Sequence, residues 1–134
     1  NINMSEKMDK ILAEISAGEL IDKITILEIK KEKINNKEKL AEIVKELISL
    51  NETLKKSITD ESKIIRFRND LKNINLKLWD IEDGKRLAEK NNQFDEKFIQ
   101  LARKVYKFND ERAKIKLAIN NALGSNIKEV KSYE

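Results

Sequence analysis

The chain contains no cysteine, no histidine and no proline, and only three glycines, Gly18, Gly84 and Gly124. Each absence excludes something. Without Cys there is no disulfide framework, no thiolate zinc site and no cysteine nucleophile. Without His the usual general base near neutral pH is missing, and so is the commonest zinc ligand. A Ser-His-Asp triad or a His-metal centre therefore cannot be assembled within one chain. Pro-rich, Gly/Ser-rich and repeated segments are also missing, so residues 1–134 read as a single helical domain. No apolar run approaches the ~20 residues of a membrane span and no signal peptide is visible, so a cytoplasmic protein is expected.

What remains is charge and aliphatic carbon. Charged residues make up 39% of the 134 and the hydrophobic set 40%, while aromatics are only 5%. There are 28 bases and 24 acids, a formal charge of +4. All but five of the bases are Lys, and Lys, Ile and Asn are the residues of AT-rich codons, so codon bias accounts for part of the excess. A nucleic-acid binder concentrates its bases in one patch with stacking aromatics between them. Here the signs interleave, as in Lys30-Lys31-Glu32-Lys33 and Lys37-Glu38-Lys39, which is the pattern of solvated helix faces. Nucleic-acid binding through Lys-rich faces is thus the least favoured class.

Apolar periodicity places four helices. The first begins at a capping box, with Ser16 capping the first turn and Glu19 reaching back to it. Its apolar residues Leu20, Ile21, Ile24, Ile26, Leu27, Ile29 and Ile34 lie almost all round, which marks a central or interface helix. Asn35 and Asn36 end it. Met4, Met8, Ile11, Leu12 and Ile15 also follow helical spacing, so residues 1–15 are an N-terminal arm or a further short helix, with helix favoured. The second helix spans about Lys37 to Lys56, with Leu40, Ile43/Val44, Leu47, Leu50 and Leu54 inward. The third spans about Ser62 to Asn91, with the stripe Ile64, Phe67, Leu71, Ile74, Leu78, Ile81 at alternating three and four. The fourth spans about Phe94 to Leu123, with the stripe Phe94, Phe98, Leu101, Val105, Phe108, Arg112, Ile115, Ile119. Gly124 is placed as its left-handed cap, and residues 125–134 form a tail. Two helices of about thirty residues, each spanning ~45 Å, joined by a tight turn must run antiparallel. The expected fold is all-α: an elongated bundle of four main helices built on a long antiparallel helical hairpin. Its large surface for its length favours a homodimer.

Most polar residues belong to solvent, but a few do not. Arg112 sits on the seam of the fourth helix, where carbon is expected. Glu28 lies on the apolar face of the first helix. Asn75, Trp79, Glu82 and Arg86 line one flank of the third helix, and Asn109 flanks the fourth. In the hairpin register Arg112 falls opposite Leu71 to Asn75, several turns from Glu82, so Glu28 is the expected partner of Arg112. One reading is a buried ion-pair network that fixes helix register. The other is a polar pocket formed by Glu28, Asn75, Trp79, Glu82, Arg86, Asn109 and Arg112, in which Arg clamps a carboxylate or phosphate. Trp79, the only Trp, suits a core or interface anchor better than a ligand-stacking role.

Two enzyme types suit a helical chain without His or Cys. Chorismate mutases use cations and a Glu or Gln inside a bundle. The segment from Gly18 to Ile34 resembles their first helix, but the Arg they carry early in that helix has no counterpart here. All-α nucleoside triphosphate pyrophosphatases gather Glu and Asp pairs around magnesium. Glu28 with Glu32, and Asp80 with Asp83, have usable spacing, so Mg is expected only under that alternative. Otherwise no cofactor or metal is expected.

Gly18-Glu19-Leu20-Ile21-Asp22-Lys23-Ile24-Thr25-Ile26-Leu27-Glu28-Ile29-Lys30 and Trp79-Asp80-Ile81-Glu82-Asp83 with Arg86 and Glu89 carry a resemblance. So do Phe98-Ile99, Leu101-Ala102-Arg103, Val105-Tyr106, Asn109-Asp110, Arg112-Ala113, Ile115-Lys116, Ile119-Asn120 and Gly124-Ser125 on the fourth helix and its end. From Ile15 onward the chain resembles a family of small uncharacterised bacterial and phage proteins, a domain of unknown function. The resemblance implies a compact helical domain with no assigned activity, to which Lys131-Ser132-Tyr133 belongs. The function expected first is a non-catalytic helical interaction or scaffold protein acting as a homo-oligomer with a protein partner. The alternative is a protein or enzyme binding a small anionic ligand in the Glu/Arg pocket.

Overall fold

The computed structural model describes residues 8–132. Its helices are α1 (Ala17–Lys33), α2 (Lys37–Ser57), α3 (Ile65–Lys90) and α4 (Glu96–Leu123), with a 3-10 turn at Glu61–Lys63 before α3. Among the described residues there is no strand, and no helix is long and apolar enough to cross a membrane.

The helix ends follow from local chemistry. The Ser16 hydroxyl accepts a hydrogen bond from the Glu19 amide at 3.0 Å and so caps α1. Only half of the expected capping box forms, because the Glu19 carboxylate turns to Lys116 on α4, 2.6 Å away. Asn36 caps α2 and Asp95 caps α4 in the same way. α3 closes through Asn91-Asn92. Asn92 takes a positive φ of 54°, which Asn tolerates better than most residues, and the Gln93 amide returns to the Ala88 carbonyl at 2.8 Å. Gly124 takes φ 63° at the end of α4, and the Ser125 amide returns to the Asn120 carbonyl at 2.8 Å.

Residues 8–15 are not helical, contrary to their periodicity. Met8, Ile11 and Leu12 stay exposed. An apolar stripe stabilises a helix only where a surface covers it, and none does so here. Met4 lies outside the described residues. After Gly124 the chain is again non-helical, yet it is tied down. The Ser125 hydroxyl accepts from the Ala17 amide, Glu129 accepts from the Ser16 hydroxyl, and Lys131 pairs with Asp110. Tyr133 lies outside the described residues.

α3 and α4 form the antiparallel hairpin, and α1 packs against α2, α3 and α4. This explains why α1 is apolar nearly all round. Leu20, Ile21, Ile24 and Leu27 of α1 meet Ile43, Leu47 and Leu54 of α2, Ile64 and Leu71 by the start of α3, and Ile119 of α4. The core therefore sits at the open end of the hairpin. α1 stops at Lys33, and towards the closed end only Ile81 and Ala88 are buried on the long helices. The chain exposes 10008 Å², whereas a compact monomer of this mass exposes about 7,200 Å²; the exposed non-helical segments 8–15 and 125–132 contribute to the difference.

Gly84 lies in that outer half. A Cβ there would come within 3.2 Å of a Leu101 methyl, and Leu101 is only half-buried and free to shift. Gly84→Ala is therefore expected to raise stability by up to about 1 kcal/mol through helix propensity. A urea or thermal melt checks this; a loss of stability would show that Leu101 cannot yield.

Candidate functional site

The polar centre of the molecule is Asp22, which is 0% exposed although it lies on the helix that carries most of the core. Gly18, Asp22, Thr25 and Ile29 form one stripe of α1 at heptad spacing, and all four are buried. Gly18 is small enough to let α4 approach, and its amide donates to the Asn120 side-chain oxygen at 2.6 Å. Held at this distance, Asp22 meets Arg112 of α4 in a two-point pair. Nε donates to Oδ1 at 2.9 Å, and Nη2 donates to Oδ2. Asn75 of α3 donates from Nδ2 to Asp22 Oδ1 at 2.9 Å and to the Thr25 hydroxyl at 3.0 Å. Lys116 approaches Asp22 at 4.0 Å while pairing with Glu19. No buried side-chain polar atom is left without a partner among the described residues. The hydrogen bond to Asp22 raises the Arg112 pKa above its already high ordinary value, against the opposing effect of burial.

This arrangement corrects the expected pairing. Glu28 does not reach Arg112; it faces Arg68 at 3.5 Å, on another side of α1, and Glu32 pairs with Lys72 at 3.1 Å. The turn of α1 that points between α3 and α4 is Asp22, so Glu28 leaves the candidate set. The two acid pairs suggested for magnesium do not converge, because among the described residues no three of His, Cys, Asp and Glu are grouped for a metal. Arg112 is committed to Asp22 and is not a free clamp for an anion.

The other six candidates do come together. Asn75, Trp79, Glu82 and Arg86 of α3 and Asn109 and Arg112 of α4 line one groove of about 320 Å³, with Ile26, Ile29 and Lys30 of α1, Leu78 and Asp83 completing it. Its floor is mainly apolar. Glu82 pairs with Lys85 at 3.3 Å; Arg86 is exposed, and among the described residues no ion pair holds it. The Arg112 guanidinium donates to the Asn109 side-chain oxygen at 3.4 Å, and both residues line the groove. A second trough of about 610 Å³ runs between α4 and residues 128–131 and is lined by several cations. Three of these, Arg112, Lys116 and Lys131, already have carboxylate partners.

Asp22, Gly18 and Asn120 were not singled out from sequence. The signal was present: a small residue, an acid and a Thr at heptad spacing on a helix otherwise rich in Ile and Leu. It was masked because α1 is apolar almost all round, so no single face looked special.

No curated protein and no solved structure matches the chain. A family of unknown function does match, over residues 11–134. The arm up to Lys10 falls outside that match, while the Asp22 network, the groove and the tethered tail all fall within it. The chain thus belongs to the family of unknown function DUF6165.

Proposed function

We propose that the protein is a non-catalytic helical interaction protein that works as a homo-oligomer. The observation that supports this most directly is the groove with its open continuation along the hairpin. α1 covers the inner half of the α3–α4 pair and then ends. Beyond it Tyr106, Ile99, Leu87 and Phe94 stand exposed on the outer half. Exposed apolar side chains grouped on one part of a fold mark association surfaces. The buried charge of Asp22 is closed on itself, with Arg112 and Asn75 both donating to its carboxylate. It has no free nucleophile, base or clamp to offer a substrate.

Sedimentation velocity checks this reading. A concentration-dependent dimer or higher oligomer is expected below about 100 µM. A strict monomer throughout that range removes self-association.

A second reading has one observation in its favour. Arg86 stands at the groove without an ion-pair partner among the described residues. A small anionic ligand with an apolar body would suit that combination of charge and floor.

A further inference from the structure

We infer that the groove and the outer hairpin beside it are covered by the same surface of a second copy. The two hairpins would run antiparallel, with Glu82 and Arg86 of one exchanging ion pairs with Arg86 and Glu82 of the other. This rests on the self-association proposed above and gives it a location and a register.

The first argument is self-complementarity. A twofold contact needs a patch in which residue i meets j while j meets i. Glu82 and Arg86 are one helical turn apart on one flank of α3, carry opposite charge and line the same groove. Antiparallel approach sets each against the other's opposite. Arg86 has no ion pair of its own among the described residues, and Glu82 has only a local one to Lys85.

The second argument is register. Glu82 opposite Arg86 centres the twofold at the level of Gly84. Asn92, in the turn between α3 and α4, lies as far after Gly84 as Leu76 lies before it. The turn of each copy therefore arrives beside Leu76, Leu78 and Trp79 of the other. That turn carries Phe94, 52% exposed and edge-on to Phe98, and the place it reaches is the apolar floor of the groove. The register demanded by charge thus also fills the groove with an aromatic ring.

The third argument is continuity. By helical phase Tyr106 and Ala102 of α4 lie on the same side as Asn109, so the face continues from the groove towards the closed end, where Tyr106 stands exposed.

The test uses the full chain and three proteins: wild type, Glu82→Arg and Arg86→Glu. Sedimentation reads assembly, circular dichroism confirms helicity, and emission of the only Trp reports the groove itself. Wild type is expected to dimerise with a blue shift of Trp79. Each charge reversal sets like charges against each other and is expected to weaken the dimer by about 100-fold or more. An equimolar mixture of the two variants is expected to re-form a dimer, because one copy then offers two acids and the other two bases. A dimer untouched by either reversal overturns this interface and leaves self-association standing elsewhere on the fold. Variants that separate but fail to pair in the mixture also overturn it. A wild-type monomer overturns both the interface and self-association. If inorganic phosphate then shifts the Trp79 emission of that monomer, the groove belongs to a small anion.

Discussion

Arg112→Leu is expected to destabilise the protein by about 3–5 kcal/mol, as read from the shift of a urea-unfolding midpoint. The asymmetry of burial sets this size. The Arg112 side chain keeps 29% of its exposure, while that of Asp22 keeps 1%. Removing the guanidinium leaves a carboxylate sealed among α1, α3 and α4, with Asn75 as its one remaining direct donor among the described residues and Lys116 at 4.0 Å. Leu supplies carbon to the α4 seam but nothing to the charge. Removing both charges is a different experiment. Asp22→Leu combined with Arg112→Met is expected to recover most of the loss, since a well-packed apolar pair often equals a buried ion pair in stability. If Arg112→Leu alone folds with wild-type stability, the buried pair is not what holds α4 to α1. The alternative of Arg112 as a ligand clamp would then regain its force.

The second large effect is expected at Gly18. Gly18→Ala should cost about 3 kcal/mol or more, measured in the same denaturation assay. A Cβ at this position would lie 2.4 Å from the Lys116 carbonyl oxygen and 2.9 Å from the Asn120 side-chain oxygen. The first obstacle is the backbone of a helix, which cannot swing aside as a side chain can. α1 and α4 would have to separate, lengthening the Gly18–Asn120 hydrogen bond and loosening the Asp22–Arg112 pair one turn further along. Gly18 is the second residue of α1, and what helix propensity contributes there favours Ala over Gly, so any destabilisation must come from this contact. The expected opposite sign at Gly84, where only a mobile methyl is in the way, makes the two substitutions a matched pair.

Local patterning made most of the secondary structure legible. Ser16 caps α1, Gly124 ends α4 with a positive φ, and the three-four stripes of α3 and α4 meet each other as an antiparallel hairpin. The hairpin register was legible too, because the turn is short: Arg112 falls by Asn75, and both bind Asp22. The flank Asn75, Trp79, Glu82, Arg86 could be read as one face because period alone determines which residues of a straight helix share a side.

The failures have a common cause. Met8, Ile11 and Leu12 follow a helical period but lack a covering surface, so period without burial did not make a helix. Glu28 and Asp22 are both acids on an apolar helix, and nothing in the local pattern ranks one above the other. Six residues apart, Asp22 and Glu28 project from different sides of α1, and Asp22 meets Arg112 while Glu28 meets Arg68. Which side faces α4 is marked by the close approach at Gly18, a contact between residues about a hundred positions apart in sequence.

The missing Cys and His, the helical periods and the caps thus determined by themselves an all-α chain without thiol or imidazole chemistry. Only the tertiary structure decided which charges are buried together, that Arg112 is spent on Asp22, and that the outer hairpin is left uncovered. The physical reason is that periodicity is a property of one helix, whereas burial and ion pairing depend on where a second helix lies across it.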